Sequence, residues 1–376
     1  MNTDQAKEFV ERYMAIEKPF SSTQELLDSG VIPRLRGYTV QPGKVSDSVF
    51  GGAGGYYRKE DKEKKDRVHF ENPPLLDKNG IPLRIMVRTD RISTHDINRG
   101  SIPFKDQILA ENHHMMRDLL RDVLGTSQYD VPGLQSNSVV IVAENLQTIP
   151  LEMVLRAYAA KSTTETSLYQ AYFVRNSRWF CGYTLPEGLI PNGRLPYVMD
   201  TPSTKSELHD KSDAPERLYQ LEICTPEQYQ QIRNATLVAF GVASHYLSQK
   251  GIILADTKTE HGVNHKGEIV SQDELYTMDS SRFWKHVDYQ EQLRKLHDGE
   301  ISELNPASYS KEFARGFSVG EAEYTAEQRA VIAVRYILGA QHLLGKDFVP
   351  DIRFREERVV TGLQTILEQL VQINVR

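Results

Sequence analysis

The order of predicted elements points to an α+β protein. Strand-like segments dominate the first half, helical periodicity dominates from about residue 308 onward, and no run alternates strand and helix as a parallel βαβ sheet does. With 376 residues, 39% of them hydrophobic and 26% charged, the chain can bury a core large enough for two or three lobes. The expected division is a helical extension over 1–30, a β-rich lobe over 31–145, a larger α+β lobe over 146–305, and C-terminal helices over 306–376 packed on the larger lobe.

Each element has its own signal. Residues 3–16 fit an amphipathic helix with Phe9, Val10, Tyr13 and Met14 on one side. Residues 31–50 predict strand, turn and strand around Pro42, Gly43 and Lys44. GGAGG (51–55) and the charged run RKEDKEKKDR (58–67) follow; glycine entropy and charge that cannot bury itself predict a mobile tip or loop. RIMVRTD (84–90) is strand-like, and 105–124 reads as a helix with Ile108, Leu109, Met115, Met116, Leu119 and Leu120 on its apolar faces. SNSVVIVAENL (136–146) and IPLEMVLRAYA (149–159) predict two consecutive strands, and 226–250 predicts a long helix. The C-terminal RVVTGLQTILEQLVQINV has an apolar helical face that could support a homodimer. No internal repeat is evident.

The totals exclude several classes. A net charge of −6 argues against a general nucleic-acid binder, which needs a basic face. No apolar run is long enough to span a membrane. MNTDQAKEFVERYM has acids and no apolar stretch, so it does not read as a secretory signal, and a cytoplasmic protein is expected. Cys181 and Cys224 are too few for a disulfide framework or a four-cysteine zinc site. Any anionic ligand must then be held by locally placed cations.

One stretch concentrates such groups. In GIILADTKTEHG (251–262), Asp256, Lys258 and Glu260 sit two residues apart and share one face of a predicted strand. A strand with one solvated face would explain the alternation. The unbroken apolar GIIL instead suggests burial on both sides, where such charges must be paired or bound. GEIVSQDELY (267–276) returns after a glycine-containing turn and can bring Asp273 beside Asp256 or Glu260, a carboxylate pairing suited to Mg²⁺ if the register allows it. In MDSSRFW (278–284), Arg282 reads either as a surface arginine stacked on tryptophan or as an anion fork. Glu152 and Arg156 share a strand face, either as a simple salt bridge or as an anion site with Ser162 close behind. Lys44 in PGKVSD is a weak phosphate-turn signal, and the adjacent His113 and His114 lack the spacing of a helical metal pair.

In order, these stretches resemble the SAICAR synthetase family from about Pro42 to about Phe348. The matching blocks are GKV (43–45), TDRIS with Asp96 (89–96), IPLEMVLRAY (149–158), LPEGL (185–189), TPSTK (201–205), GIILADTKTEHG (251–262) and DELYTMDSSRFW (273–284), followed by SKEFARGF and VRYILGAQHLLGKDF. The resemblance implies a small antiparallel β lobe over a larger α+β lobe, with ATP between them. It implies a ligase that joins the carboxylate of the aminoimidazole ribonucleotide CAIR to the amine of L-aspartate with ATP and Mg²⁺. Carried over by motif, Glu260 and Asp273 would hold the metal, and Lys258 would meet the reacting carboxylate or the transferring phosphate. Asp256 would orient the reacting centre or accept a proton. Arg156, Ser162 and Arg282 would bind the ribonucleotide phosphate, with Arg91 and Asp210 also on the substrate side. Gly43 and Lys44 would cover the ATP phosphates, and Glu144 and Leu146 would lie in the connector lining adenine.

The chain departs from the family pattern at several points: Ser46 in place of the arginine of GKVRD, Lys161-Ser162 in place of GS, IPFKD in place of IPGKG, TEHG in place of FEFG, and HDKSDAP (209–215) in place of HDENIS. Two other readings compete, a kinase-like phosphotransferase that stops at phosphorylation and a non-catalytic nucleotide binder. The retained charged groups argue against the binder.

Overall fold

The computed structural model describes residues 1–18, 22–51, 72–95, 97–204 and 211–373. Most of the glycine-rich and charged tip at 51–67, together with Asp96 and Asp210, lies outside them.

α1 (Thr3–Met14) begins with a capping box in which the Asn2 side chain accepts from Gln5 N–H and the Gln5 side chain returns to Asn2 N–H. α2 (Thr23–Asp28) leads into an antiparallel pair, β1 (Val40–Gln41) and β2 (Ser46–Phe50). β3 (Leu75–Leu76) precedes β4 (Leu83–Arg88), and β5 (Arg91–Thr94) forms a hairpin with β6 (Ile97–Ser101). α3 (Lys105–Leu120) then leads to β7 (Val140–Glu144). The small lobe is the antiparallel sheet β1–β2–β4–β7.

The two consecutive strands read from the sequence belong to different sheets. β8 (Gln147–Tyr158) starts three residues after β7 ends, and Asn145 and Leu146 form the crossing between lobes. The larger sheet is completed by β11 (Arg194–Asp200), β12 (Ser203–Thr204), β13 (Lys211–Ser212), β14 (Ile252–Val263), β15 (Ile269–Ser271) and β16 (Ser281–Lys285). A separate hairpin pairs β9 (Trp179–Phe180) with β10 (Tyr183–Thr184). The helices of this half are α4 (Pro215–Gln220), α5 (Pro226–Ser248), α6 (His286–His297), α7 (Glu312–Arg315) and α8 (Ala326–Leu344). α5 and α8 each start with a Thr–Gln capping box.

Period-two alternation sorts β8. Leu151, Met153 and Leu155 enter the main core with Ile232, Phe240 and Leu247 of α5, so Glu152, Val154 and Arg156 face the other way. α1 and α3 belong to this same core, so the helix expected within the β-rich lobe packs with the larger one.

α9 (Arg355–Gln369) corrects the expected domain division. Val359, Leu363, Ile366 and Leu367 pack with Leu83, Ile85, Val87, Val140 and Val142, on the small sheet rather than on the larger lobe. The apolar face that suggested a homodimer is therefore covered within the chain. β17 (Gln372–Ile373) then pairs with β3.

Candidate active site

The site is built on β14 and its neighbours. Across the β8–β14 ladder Asp256 lies opposite Arg156, Lys258 opposite Val154 and Glu260 opposite Glu152; across β14–β16 Asp256 lies opposite Arg282. Directly opposed residues share a face, so these charges form one patch. A bulge at Ala255 puts them there. Leu254 joins the helix-covered core, yet Asp256, two residues on, lines the cavity, because β14 spends an extra residue against β16 between Leu254 and Asp256.

Asp256 is 6% exposed and accepts from Arg156 Nη1 at 3.2 Å and from Arg282 Nη1. Arg282 Nε reaches Glu312 at 3.5 Å, and Arg315 Nη1 donates to the same carboxylate at 2.7 Å. The result is an alternating chain along the cavity wall: Arg156, Asp256, Arg282, Glu312, Arg315. Burial opposes the charge on Arg282, but Asp256 and Glu312 override it and raise its pKa. Asp256 thus bridges two guanidiniums and can hold both in place.

Lys258 Nζ donates to Glu152 and Glu260, each at 2.8 Å. Burial opposes its charge, but the two carboxylates hold its pKa well above the ordinary lysine value. Its side chain remains 37% exposed, so a substrate in the cavity can reach the ammonium.

Asp273 lies beyond the end of β15, where the chain has left strand geometry, so strict alternation no longer sets its direction. Gln272 N–H donates to Glu260 O at 3.1 Å, and Arg84 Nη2 donates to Gln272 O at 2.6 Å. Burial lowers the pKa of Arg84, and Asp273 and Glu260 both oppose that shift, so both carboxylates bear on one guanidinium. Among the described residues no group of three or more His, Cys, Asp or Glu side chains forms a metal cage. Two carboxylates completed by phosphate and water oxygens suit Mg²⁺, and Glu260 with Asp273 fit that donor set.

A cavity of about 250 Å³ opens over the patch. It gathers Arg156, Ser162, Asp256, Lys258 and Arg282 from the predicted set. Sequence reading missed its hydroxyl-rich wall, which includes Thr164, Thr166, Ser167, Ser203 and Ser212, and the α7 groups Lys311, Glu312 and Arg315. The i,i+4 spacing of Lys311 and Arg315 was visible, but nothing local says that α7 lies against β16.

Of the other predicted residues that the structure describes, Gly43, Lys44 and Glu144 lie on the small lobe, Arg91 on the β5–β6 hairpin and Leu146 in the connector. Gly43 has no room for a side chain, since a Cβ would lie 2.3 Å from Ser46 O, and Lys44 is exposed on the same turn. Arg91 is not at the cavity: it donates to Gly43 O at 2.7 Å and pairs with Asp47. The Glu144 carboxylate accepts from the backbone N–H of His265 and lies 2.9 Å from its ring Nδ1, and Leu146 is buried beside it in the connector.

A family model described as SAICAR synthetase matches residues 78–328. The phosphoribosylaminoimidazole-succinocarboxamide synthase of Bacteroides fragilis is 32% identical over 300 residues, covering 76% of this chain and 90% of that one. The chain belongs to the SAICAR synthetase family. That membership makes it an ATP-dependent ligase of purine biosynthesis. Two solved structures share the fold. The SAICAR synthase of Saccharomyces cerevisiae complexed with SAICAR has a TM-score of 0.61 and 23% identity, covering 83% of this chain and 97% of that one. A type-2 SAICAR synthetase in complex with ADP has a TM-score of 0.55 and 20% identity, covering 83% and 100%.

Proposed function

We propose that this SAICAR synthetase family member joins the carboxylate of CAIR to the amine of L-aspartate, with ATP and Mg²⁺, giving SAICAR, ADP and phosphate. The observation that carries the reading is the single sheet face on which Arg156, Asp256, Lys258, Glu260 and Arg282 converge beside a cavity. The SAICAR and ADP held by the two structural neighbours are ligands of those proteins and agree with it.

A carboxylate is a poor electrophile, being anionic with oxide as its leaving group. Transfer of the ATP γ-phosphoryl group to a CAIR carboxylate oxygen forms an acyl phosphate and releases ADP. The aspartate amine then attacks the acyl carbon, the C–O bond to phosphate breaks, and the nitrogen loses a proton to leave an amide. Positioning and charge neutralisation dominate the first step. Lys258 meets the reacting carboxylate and the moving phosphoryl group. Arg156, Arg282 and the hydroxyl wall, Ser162 included, bind the ribonucleotide phosphate, and Asp256 keeps both arginines aimed. Glu260 and Asp273 would hold Mg²⁺, which when bound neutralises phosphate oxygens. Gly43 and Lys44 cover the nucleotide phosphates, Arg91 braces that turn, and Glu144 and Leu146 lie along adenine. Asp210 stays on the substrate side of the proposal on motif grounds alone. No helix among the described residues is long and apolar enough to cross a membrane, and the reading keeps the reaction in the cytoplasm.

The test is to incubate the protein with CAIR, ATP, Mg²⁺ and L-aspartate and identify the product by mass. The aspartate adduct is expected, with ADP release dependent on aspartate. Aspartate-independent ADP release would replace this reading with the phosphotransferase.

A further inference from the structure

Glu260 and Asp273, the carboxylates assigned above to Mg²⁺, already have cations of the chain's own. Lys258 Nζ reaches Glu260 and Glu152, each at 2.8 Å. The second cation comes from the other lobe. Arg84 lies on β4 of the small sheet, 3% exposed, opposite Ala143 of β7. Leu83, Ile85 and Val87 of the same strand pack with α9, so Arg84 and Arg88 leave from the opposite face. Both reach the segment that carries Asp273. Arg84 Nη2 donates to Gln272 O at 2.6 Å, and Arg88 Nη1 pairs with Glu274 at 2.8 Å. Gln272 N–H in turn donates to Glu260 O at 3.1 Å, so one peptide segment joins Arg84 to both carboxylate-bearing stretches.

The two arginines differ in what they neutralise. Arg88 serves Glu274, whose second carboxylate oxygen accepts from Thr277 Oγ1 at 2.9 Å. Arg84 is anchored through a carbonyl. Burial lowers its pKa, and the charges that oppose the shift are Asp273 and then Glu260. Around the metal carboxylates, Glu152, Glu260 and Asp273 bring three negative charges, and Lys258 and Arg84 bring two positive ones. One negative charge is left over. A divalent cation alone overshoots it, at a buried site where unbalanced charge is costly. A divalent cation that arrives on a nucleotide phosphate chain brings its own compensation.

We propose that Arg84 is a resident counter-cation of the Glu260–Asp273 pair, which disfavours free divalent metal and lets the ion enter together with nucleotide phosphates; this rests on the metal reading above. The guanidinium spares the empty site from burying two bare carboxylates. Like-charge repulsion then sets how tightly a lone metal ion is held. Because Arg84 projects from the lobe that carries the Gly43 turn, that repulsion ties metal affinity to the nucleotide side of the cleft.

Mn²⁺ binding to the full chain, followed by the electron paramagnetic resonance of the free ion, tests this without turnover. Wild type is expected to bind Mn²⁺ weakly alone and about tenfold or more tightly with saturating ADP. Arg84→Met and Arg84→Gln are expected to bind Mn²⁺ alone about tenfold more tightly than wild type, and Arg84→Lys, which keeps the charge, to stay within about threefold of it. Thermal melts check that each variant folds, and two neutral side chains are used so that one folded variant suffices. Unchanged or weaker Mn²⁺ binding in the neutral variants would make Arg84 a structural tie and overturn the proposal; loss of Mn²⁺ binding in Glu260→Gln would then leave the metal assignment standing. Binding that Glu260→Gln and Asp273→Asn both leave unchanged, in wild type and in the Arg84→Met background, would sink the metal assignment itself and this proposal with it.

Discussion

The half-buried Lys311 and the buried His261 are groups that stability alone would not select. Lys311 has a pKa of about 8 in the fold against 10.5 for an ordinary lysine, so between those values the unfolded chain binds the extra proton. Stability therefore rises with pH through that window, and the penalty is fully present below about pH 8. Lys311→Met is expected to raise the melting temperature at pH 7 and to gain little above pH 10.5; an unchanged melting temperature at pH 7 would show that the cost of burying the ammonium is met elsewhere. His261 is 1% exposed, and neither ring nitrogen has a partner among the described residues. It stands where the family pattern has phenylalanine. His261→Phe is expected to stabilise the protein by about 1 kcal/mol or more in denaturant unfolding, since a buried donor or acceptor left unmade costs about 1–3 kcal/mol. A destabilised variant would mean that the ring nitrogens are satisfied in solution.

Among the elements, β14 determines the site. Its bulge at Ala255 aims Asp256 into the cavity, and its second irregularity, between Glu260 and His261, falls opposite Pro150 of β8. Proline has no N–H to give the ladder, so pairing resumes only at Ile149. Gly262 follows directly, where an added Cβ would lie 2.8 Å from Leu146 Cβ and 2.9 Å from Gln147 O. Gly262→Ala pushes on the connector between lobes. It is expected to cost about 1–3 kcal/mol through overpacking and to weaken ADP binding more than CAIR binding in titrations. Equal weakening of both would mean that the connector does not transmit the strain to the nucleotide side.

Across the whole molecule the chain ties its lobes together at the back. α9 leaves the larger lobe and covers the small sheet, with Arg355 Nη1 on Asp90 at 2.8 Å, Arg358 Nη1 on Asp106 at 3.1 Å, and Arg34 on the carbonyls of Leu367 and Val371. Leu363 is fully buried there, and Leu363→Ala is expected to cost about 2–5 kcal/mol by cavity formation. Because α9 belongs to the small-lobe core, the loss should appear as reduced protection of β4 and β7 amides in hydrogen exchange. Loss confined to α9 amides would show that the helix docks without supporting the sheet. The fully buried Lys105 joins Asp279 to the carbonyl of Arg91 at 3.1 Å, linking the substrate cavity to the residue that braces the Gly43 turn. Lys105→Met leaves Asp279 without its close cation, and about 3–5 kcal/mol of destabilisation is expected in denaturant unfolding. A loss below 1 kcal/mol would show Lys311 taking its place.

Local chemistry was enough for the α+β class and for the buried strand at 252–263 with its row of charges, because period-two alternation and unusual charges on an apolar strand are written within a dozen residues. The order of motifs was enough for the family. The rest depends on distant segments meeting. Lys311 and Arg315 join the cavity only when residues 48 and 52 positions beyond the end of β14 fold back on it. Arg91 lies apart from the cavity because it pairs with Asp47 on β2. The apolar face of α9 is equally suited to a partner molecule or to its own small sheet, since periodicity records that a face must be buried and not what buries it.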